Sequence, residues 1–154
     1  MDRVWKPNVT VAALIERDGH YLLVEEETDD GIRFNQPAGH LDEGESLIAA
    51  CSREALEETA WHFTPSSVVG VYQWQRPKKV NEGDITYLRF AFAGTLGEHV
   101  PGRVLDEGIL RAVWMSPEEI QATVARHRSP LVWQCVADHI AGQRYPLALI
   151  RHYA

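Results

Sequence analysis

The sequence predicts one α/β (α+β) domain that forms an α/β/α sandwich. In this sandwich a mixed sheet carries helices on both faces. Apolar, β-branched runs stand before and after a central helical segment, and further helix follows near the end of the chain. No repeat or linker divides the sequence, and 154 residues suit one domain with a substantial core. We therefore treat residues 1–154 as a single domain.

The first two predicted strands lie near the N-terminus. Residues 9–15 form an apolar, β-branched run that is typical of a buried strand. Asp18 and Gly19 are a turn signal, and residues 20–26 follow as a second strand. The two strands are predicted to form a hairpin, and the polar residues 28–31 are predicted to form a loop.

The central segment predicts a strand, a helix and two more strands. Residues 34–37 form a short strand that leads into a glycine turn, and residues 46–59 form a helix. Residues 68–74 and 85–96 are predicted strands that a polar, basic loop joins. The helix therefore lies between two groups of strands.

The C-terminal part predicts one strand and two helices. Residues 112–115 form a short strand. Ser116 offers a helix cap, Pro117 stands in the first turn and two acidic residues follow, which is typical of a helix start. The last helix covers about residues 130–141 and ends near Gly142.

Composition excludes several classes of function. The net charge of −7 argues against binding the backbone of a nucleic-acid polymer, which requires a basic face. No apolar run reaches membrane-spanning length, and the N-terminus lacks the apolar core of a signal peptide. Cys51 and Cys135 match no metal-binding or redox spacing. We expect a monomer in the reducing cytoplasm that acts on a small molecule.

The predicted central helix carries a cluster of acids. Glu54, Glu57 and Glu58 stand at i, i+3 and i+4, which places three carboxylates on one helical face. Like charges this close repel one another unless a cation lies among them. An all-oxygen set suits a hard cation such as Mg²⁺ or Mn²⁺. Most Glu-rich helices are simply solvated, but this one is apolar on two sides, which predicts that its acidic stripe lines a cleft.

The segment from the glycine turn through this helix resembles the Nudix box, whose defined positions keep fixed gaps. The matching residues are Gly39, Glu45, Arg53, Glu54, Ala55, Glu57 and Glu58. Two positions depart from the pattern, because Ala60 replaces a glycine and Trp61 replaces an aliphatic residue. A helix end often requires a positive φ, so Ala60 is expected to cost about 1 kcal/mol relative to glycine.

The resemblance implies hydrolysis of a nucleoside diphosphate that is linked to another group. It implies that Glu57, Glu58 and the carbonyl of Ala38 are metal ligands, and that Glu54 is both a ligand and the general base. The implied cofactor is Mg²⁺, with Mn²⁺ as a possible substitute. The implied role of Arg53 within the catalytic set is structural, since it would pair with Glu45 and fix the loop–helix geometry.

Family members often add one acid from a loop after the box. Our first choice for that acid is Glu107 and our second is Asp106, although a simply exposed loop accounts for Glu107 equally well. The resemblance continues outside the box, over nearly the whole chain, to a bacterial phosphatase subgroup. The segments that carry it are residues 35–41, 73–74, 88–90, 128–132 and 142–147. That subgroup releases orthophosphate from nucleoside tri- and diphosphates, and from the diphosphates of thiamine and its pyrimidine precursor.

Four side chains are candidates for substrate contacts. Arg33 and Arg89 can hold phosphate oxygens through paired hydrogen bonds, and Trp74 can stack on a base or a pyrimidine ring. His40 follows the box glycine and therefore lies near the site. The alternatives are that Arg89 points to the other face of the sheet and that Trp74 belongs to the core.

Two other functions stay open. Relatives that hydrolyse ADP-ribose carry a proline shortly after the box, and Pro77 stands sixteen residues beyond Trp61. A Nudix-like module that binds nucleotides without hydrolysing them is the second alternative. Such modules usually lose acids from the box, whereas this chain keeps all of them.

Overall fold

The computed structural model describes residues 3–80 and 83–154, which form two β-sheets with helices packed against them. The strands are β1 (Asn8–Leu14), β2 (Glu16–Arg17), β3 (His20–Thr28), β4 (Gly31–Asn35), β5 (Ala38–His40), β6 (Trp61–Arg76), β7 (Ile85–His99), β8 (Ile109–Met115) and β9 (Tyr145–Pro146). The α-helices are α1 (Leu47–Thr59), α2 (Pro117–Ala122) and α3 (Leu131–Ile140).

The larger sheet is mixed, as predicted. Its strand order is β5-β1-β7-β6-β9, with β1 parallel to β7 and the other pairs antiparallel. In the smaller sheet, β3 pairs antiparallel with β2, β4 and β8. The long hairpin of β6 and β7 supplies the third and fourth strands of the larger sheet, and β6 ends at Arg76.

The larger sheet is buried on both faces, which explains the continuous apolar run in β1. Ala12 and Leu14 face a core cluster that includes Val132, Cys135 and Val136 of α3. The alternate residues of the run face a second cluster that includes Ala50, Cys51 and Ala55 of α1. A strand that is covered on both faces needs no polar positions. Helices therefore cover both faces, and the predicted fold class is confirmed.

The predicted N-terminal hairpin is wrong in its extent. The turn at Asp18 and Gly19 is present, and both residues have a positive φ. However, only the short β2 pairs with the start of β3, whereas β1 pairs with β5 and β7 in the other sheet. β5 and β7 occupy both edges of β1, so neither edge is left to pair with β3. The chain therefore crosses from one sheet to the other at Ile15, whose carbonyl accepts a hydrogen bond from the Leu22 N–H (2.9 Å).

Several predicted boundaries also move. The strand predicted at residues 68–74 begins at Trp61, because pairing with β7 continues past Pro65 through shifts of register. The strand predicted at residues 34–37 ends at Asn35, and β5 follows it as a separate strand that was not predicted. The helix predictions hold to within about two residues.

Local signals set both ends of α1. The Ser46 side chain caps the helix by accepting a hydrogen bond from the Ala49 N–H (3.0 Å). Ala60 ends the helix in the left-handed region, with a φ of 63°. The helix therefore ends with the positive φ that is typical of this position, and replacing the family's glycine by alanine does not change how the helix ends. In the part of the chain that the structure describes, no helix has both the length and the apolar character needed to cross a membrane.

Candidate active site

The backbone of β5 lies directly against the acidic face of α1. The Ala38 N–H donates a hydrogen bond to Oε1 of Glu58 (2.9 Å). A Cβ atom at Gly39 would overlap the carboxyl group of Glu54. Glycine is therefore required at position 39 because of the close approach of strand and helix, as its place in the motif indicates.

Three carboxylates meet beside this contact. Glu54, Glu58 and Asp106 each offer an oxygen within 4.8 Å of the others, and the two glutamates are buried. Carboxylate oxygens are the ligands that hard divalent cations prefer. The donor set therefore fits the Mg²⁺ or Mn²⁺ that the sequence predicts.

Burial dominates the electrostatics of this cluster. It raises the pKa of Glu58 to about 9, against the lowering effect of the Ala38 N–H, and nearby acids raise it further. Burial also raises the pKa of Glu54 to about 7, although Arg53 opposes the shift. Both glutamates thus carry a negative charge poorly in the free protein. A cation among these oxygens would compensate that charge.

Arg53 links the loop before α1 to the helix itself. Its guanidinium donates to both oxygens of Glu45 (2.7 and 2.9 Å), to Glu54 (2.8 Å) and to Glu57 (3.1 Å). It also donates to the carbonyl of His40 (3.1 Å). The predicted pair between Arg53 and Glu45 is confirmed as a contact. The hydrogen bonds from Arg53 to Glu45 hold the pKa of the Glu45 carboxyl below its usual range.

The structure distributes the other predicted acids differently. The Glu57 carboxylate bonds to Arg53 and does not belong to the close cluster of described acids. Asp106, the second choice for the additional acid, lies in the cluster, whereas Glu107 does not. The Asp106 N–H donates to the Glu57 carbonyl (3.0 Å), which fixes this loop against the end of α1.

A cleft of about 340 Å³ opens beside the acids. The predicted site residues on its walls are Ala38, Gly39, His40, Glu54, Glu58, Trp74 and Arg89. Arg33 is not among the lining residues, because it lies on β4 with its guanidinium turned back to the Ile32 carbonyl (3.1 Å). Of the two arginines that were predicted to hold phosphate, only Arg89 lines the cleft.

Arg89 lies on the cleft wall with an unusual set of partners. Arg89 is only 6% exposed, and its guanidinium donates to Oε1 of Gln36 (2.8 Å) and Oδ1 of Asn35 (3.0 Å). Among the described residues, every polar atom that Arg89 contacts is uncharged, the third being the Cys135 sulfur (3.9 Å). A buried cation without a counter-ion is costly, so this group suits an anionic ligand.

Sequence reasoning missed several residues of the cleft. Asn35 and Gln36, which orient Arg89, stand in the segment before the box, but their partner could not be inferred. Tyr87 stacks on Trp74 with ring centroids 5.8 Å apart and an interplanar angle of 19°. Arg128 lines the cleft and donates to Glu26 (2.8 Å).

Comparisons with known proteins agree with this geometry. A model of the NUDIX domain matches residues 5–134. The chain belongs to the Nudix family. Phosphatase NudJ of Escherichia coli strain K12 is 39% identical over 147 residues, which are 96% of this chain and 92% of NudJ.

Solved structures support the same assignment. A NUDIX hydrolase from Nitrosomonas europaea is 54% identical, with a TM-score of 0.89, covering 96% of this chain and 98% of that one. A bifunctional NMN adenylyltransferase/ADP ribose pyrophosphatase from Francisella tularensis shares the fold at 20% identity, with a TM-score of 0.64 over 89% of this chain and 42% of that one. The chain is therefore a Nudix hydrolase that resembles a phosphatase, and Nudix hydrolases use divalent metal ions.

Proposed function

We propose that this Nudix hydrolase releases orthophosphate from nucleoside tri- and diphosphates and from thiamine-type pyrimidine diphosphates, with Mg²⁺ as its cofactor. One observation carries the proposal: Glu54 and Glu58, two of the three clustered acids, lie on the walls of the same cleft as Arg89, which has no charged partner among the described residues. Such a cleft can hold a cation and a phosphate chain together. The name of the relative NudJ, a phosphatase, supports attack at the terminal phosphorus.

The cation would be held by Glu54, Glu58 and Asp106, with the Ala38 carbonyl and Glu57 as further ligands that the resemblance implies. When bound, Mg²⁺ or Mn²⁺ would neutralise charge on the phosphate oxygens and make a bound water more acidic. The protein itself contributes the fixed geometry of these oxygens, since Arg53 and the Ala38 N–H orient two of the carboxylates.

Glu54 is our candidate for the general base. A water oxygen attacks the terminal phosphorus, the water proton passes to Glu54, and the bridging P–O bond breaks so that its oxygen stays on the shortened product. The hydrogen bond from Arg53 to Oε1 of Glu54 orients the carboxylate for this transfer.

The rest of the cleft would position the substrate. Arg89 would bind phosphate oxygens through donors that its amide partners hold in place. Trp74 would stack on the ring of the substrate, and His40, which lines the cleft beside Gly39, would contact a phosphate. Arg33 keeps only a supporting role, as a positive charge outside the cleft lining.

Phosphate release from a substrate panel with Mg²⁺ tests the proposal. The panel holds nucleoside tri- and diphosphates, thiamine diphosphate and ADP-ribose, each assayed with and without added pyrophosphatase. We expect orthophosphate without the added enzyme. Phosphate that appears only with it would mean that pyrophosphate is the product, and the proposed reaction would then be wrong.

A second candidate function is hydrolysis of ADP-ribose. Pro77, the proline that suggests it, lines a cavity that adjoins the cleft, so it lies where a substrate could reach it. Product analysis separates the two, because ADP-ribose would give AMP and ribose phosphate. Binding of a nucleotide without any metal-dependent turnover would instead support a non-catalytic module.

The assembly and location of the enzyme stay predictions. We propose a monomer that acts in the cytoplasm on small phosphorylated molecules, without a nucleic-acid or membrane partner. Gel filtration at several protein concentrations measures the assembly, and a dimer that persists on dilution would contradict the monomer.

A further inference from the structure

A second cavity, of about 630 Å³, adjoins the cleft. It lies between residues 76–79, at the end of β6, and the segment that precedes α3, and we call it the outer chamber. Trp74, Arg128 and Ser129 line both the cleft and the outer chamber. A ligand that begins in one space can therefore continue into the other.

The chemistry of the outer chamber differs from that of the cleft. None of the clustered acids Glu54, Glu58 and Asp106 reaches the outer chamber. Its walls combine apolar side chains with basic ones: Trp133, Val124, Pro77 and Pro130, and Arg76, Lys78, Lys79 and Arg128. The acid Asp30 lies on the wall, but Lys79 donates to its carboxylate (3.0 Å). The outer chamber therefore suits an aromatic group better than a metal cation.

Two tryptophans from different elements face this space. Trp74 comes from β6 and Trp133 comes from α3. The Trp133 side chain also packs against the core cluster that contains Val132, Cys135 and Val136. Tyr87 stacks on Trp74 and lines the cleft without lining the outer chamber, so another part of the indole is left for the chamber. Aromatic walls of this kind bind planar rings by stacking.

We propose that the outer chamber binds the planar aromatic ring of the substrate while the phosphate chain lies in the cleft, and that Trp133 acts with Trp74 to select ring-bearing substrates. The proposal rests on the proposed function and names the part of the substrate that the acids do not touch. The volume lies within the range of about 300–1,000 Å³ that small-ligand sites occupy.

A matched pair of variants tests the role of Trp133. Trp133→Leu keeps an apolar side chain against the core but removes the aromatic ring, whereas Trp133→Phe keeps a ring. Each is assayed with Mg²⁺ on thiamine diphosphate, which carries rings, and on inorganic tripolyphosphate, which carries none. We expect Trp133→Leu to lower kcat/KM for thiamine diphosphate roughly tenfold, mainly through KM, since stacking contributes on this scale. Tripolyphosphate should change less than about twofold, as the same stacking contribution is absent.

The control is Trp5→Leu, since Trp5 is 65% exposed and lies outside the outer chamber. It should leave both substrates unchanged. Equal losses on both substrates, or equal behaviour of the Leu and Phe variants, would overturn the proposal while leaving the enzyme a phosphatase. If Trp133→Leu does not fold, Val124→Asp replaces it, because Val124 is 51% exposed on the chamber wall and should give the same selective loss.

A binding measurement separates this proposal from the proposed function. Thiamine monophosphate carries the rings but no anhydride bond, and its binding is followed by tryptophan fluorescence. We expect Trp133→Leu to weaken that binding, with Trp133→Phe close to the unchanged protein. If the unchanged protein hydrolyses neither substrate, the proposed function fails, and an unaltered affinity in Trp133→Leu would still overturn the outer-chamber proposal.

Discussion

Glu54 and Glu58 lie on one face of α1, yet different groups hold them. Glu58 accepts a hydrogen bond from the backbone of Ala38, whereas Glu54 accepts one from the Arg53 side chain. The Glu58 carboxylate is therefore held by the backbone of β5, and the Glu54 carboxylate is held by the Arg53 guanidinium. This difference supports a positional role for Glu58 and a proton-accepting role for Glu54.

Replacing Glu54 by glutamine tests that role. The amide keeps the size of the side chain but cannot accept the water proton, so we expect turnover to fall at least about a hundredfold while the fold stays intact. Initial rates of phosphate release and a far-UV spectrum are the measurements. Near-normal turnover would transfer the base role to another acid, with Asp106 first among them.

Asp106 and Glu107 offer a matched comparison outside the box. Asp106 lies in the carboxylate cluster and Glu107 does not. We expect Asp106→Asn to weaken Mg²⁺ activation and to lower turnover about tenfold or more, because a ligand charge is lost. Glu107→Gln should change turnover less than about twofold, since that side chain is not in the cluster. Magnesium titrations of both variants decide the question, and the reverse order of effects would restore Glu107 as the additional acid.

Sequence reasoning predicted the residues of the box more fully than those around it. The spacing of Glu54 and Glu58 along a helix fixes their common face. Glu45 lies just before the Ser46 cap and Arg53 lies within α1, so the long Arg53 side chain can reach back to Glu45. Which of two adjacent loop acids turns inward depends on a hydrogen bond between the Asp106 N–H and the Glu57 carbonyl. No local pattern encodes that contact.

Helix α1 owes its ends to single residues. Ser46 caps its start, and Ala60 ends it with a backbone conformation that alanine disfavours. The strained alanine stands where the family has glycine. The end of α1 therefore stores a modest conformational cost next to the site.

We predict that Ala60→Gly stabilises the protein. Glycine adopts a positive φ without the steric penalty of a Cβ, so the free energy of unfolding should rise by about 1 kcal/mol. Urea unfolding measures the change. Ala137→Gly, within α3, is the control and should lower stability by about 1 kcal/mol, as glycine does inside a helix. A loss of stability in Ala60→Gly would show that contacts of the buried methyl group outweigh the strain.

The loop before α1 depends on Arg53. Arg53→Ala leaves Glu45 without its paired donors, so we expect the free energy of unfolding to fall by about 2 kcal/mol and turnover to fall with it. Thermal unfolding and phosphate release are measured together, with Arg53→Lys as the comparison because lysine keeps the charge without the paired geometry. A stable and equally active Arg53→Ala variant would refute the structural role.

At the scale of elements, helices were easier to predict than strand partners. Capping and periodicity are local, so α1, α2 and α3 were placed from the sequence alone. β1 pairs with β7, more than seventy positions along the chain, and with β5, and these two pairings keep β1 out of a hairpin with β3. Propensity contains no information about such pairing.

For the whole molecule, burial of the acids predicts how stability depends on pH. The folded-state pKa values of Glu54 and Glu58 lie above the ordinary carboxyl value. Their contribution to stability is therefore complete below that ordinary value and is lost as pH rises through about 7 and about 9. His139 acts oppositely, since burial lowers its pKa to about 4, but it is neutral in both states above about pH 7.5.

We expect the free energy of unfolding of the metal-free protein to fall between about pH 7.5 and 8.5 for this reason. Mg²⁺ should restore stability, and more so at the higher pH, because the ligands must lose protons to bind it. Urea unfolding in EDTA and in Mg²⁺ measures both effects. Glu58→Gln should flatten the slope in EDTA, and an unchanged slope would show that other groups control it.

The free cleft holds Arg89, which has no charged partner among the described residues, and the buried acids Glu54 and Glu58, which carry a negative charge poorly without a cation. A metal ion would favour the charged form of the acids, and a phosphate chain would bring negative charge both to Arg89 and to the metal ion. A metal ion and a phosphate chain should therefore bind with positive cooperativity. By thermodynamic linkage, the factor by which the phosphate raises the affinity for the metal equals the factor by which the metal raises the affinity for the phosphate. Free orthophosphate, which carries fewer metal-binding oxygens than a chain, would benefit less from this coupling and would leave the cleft readily.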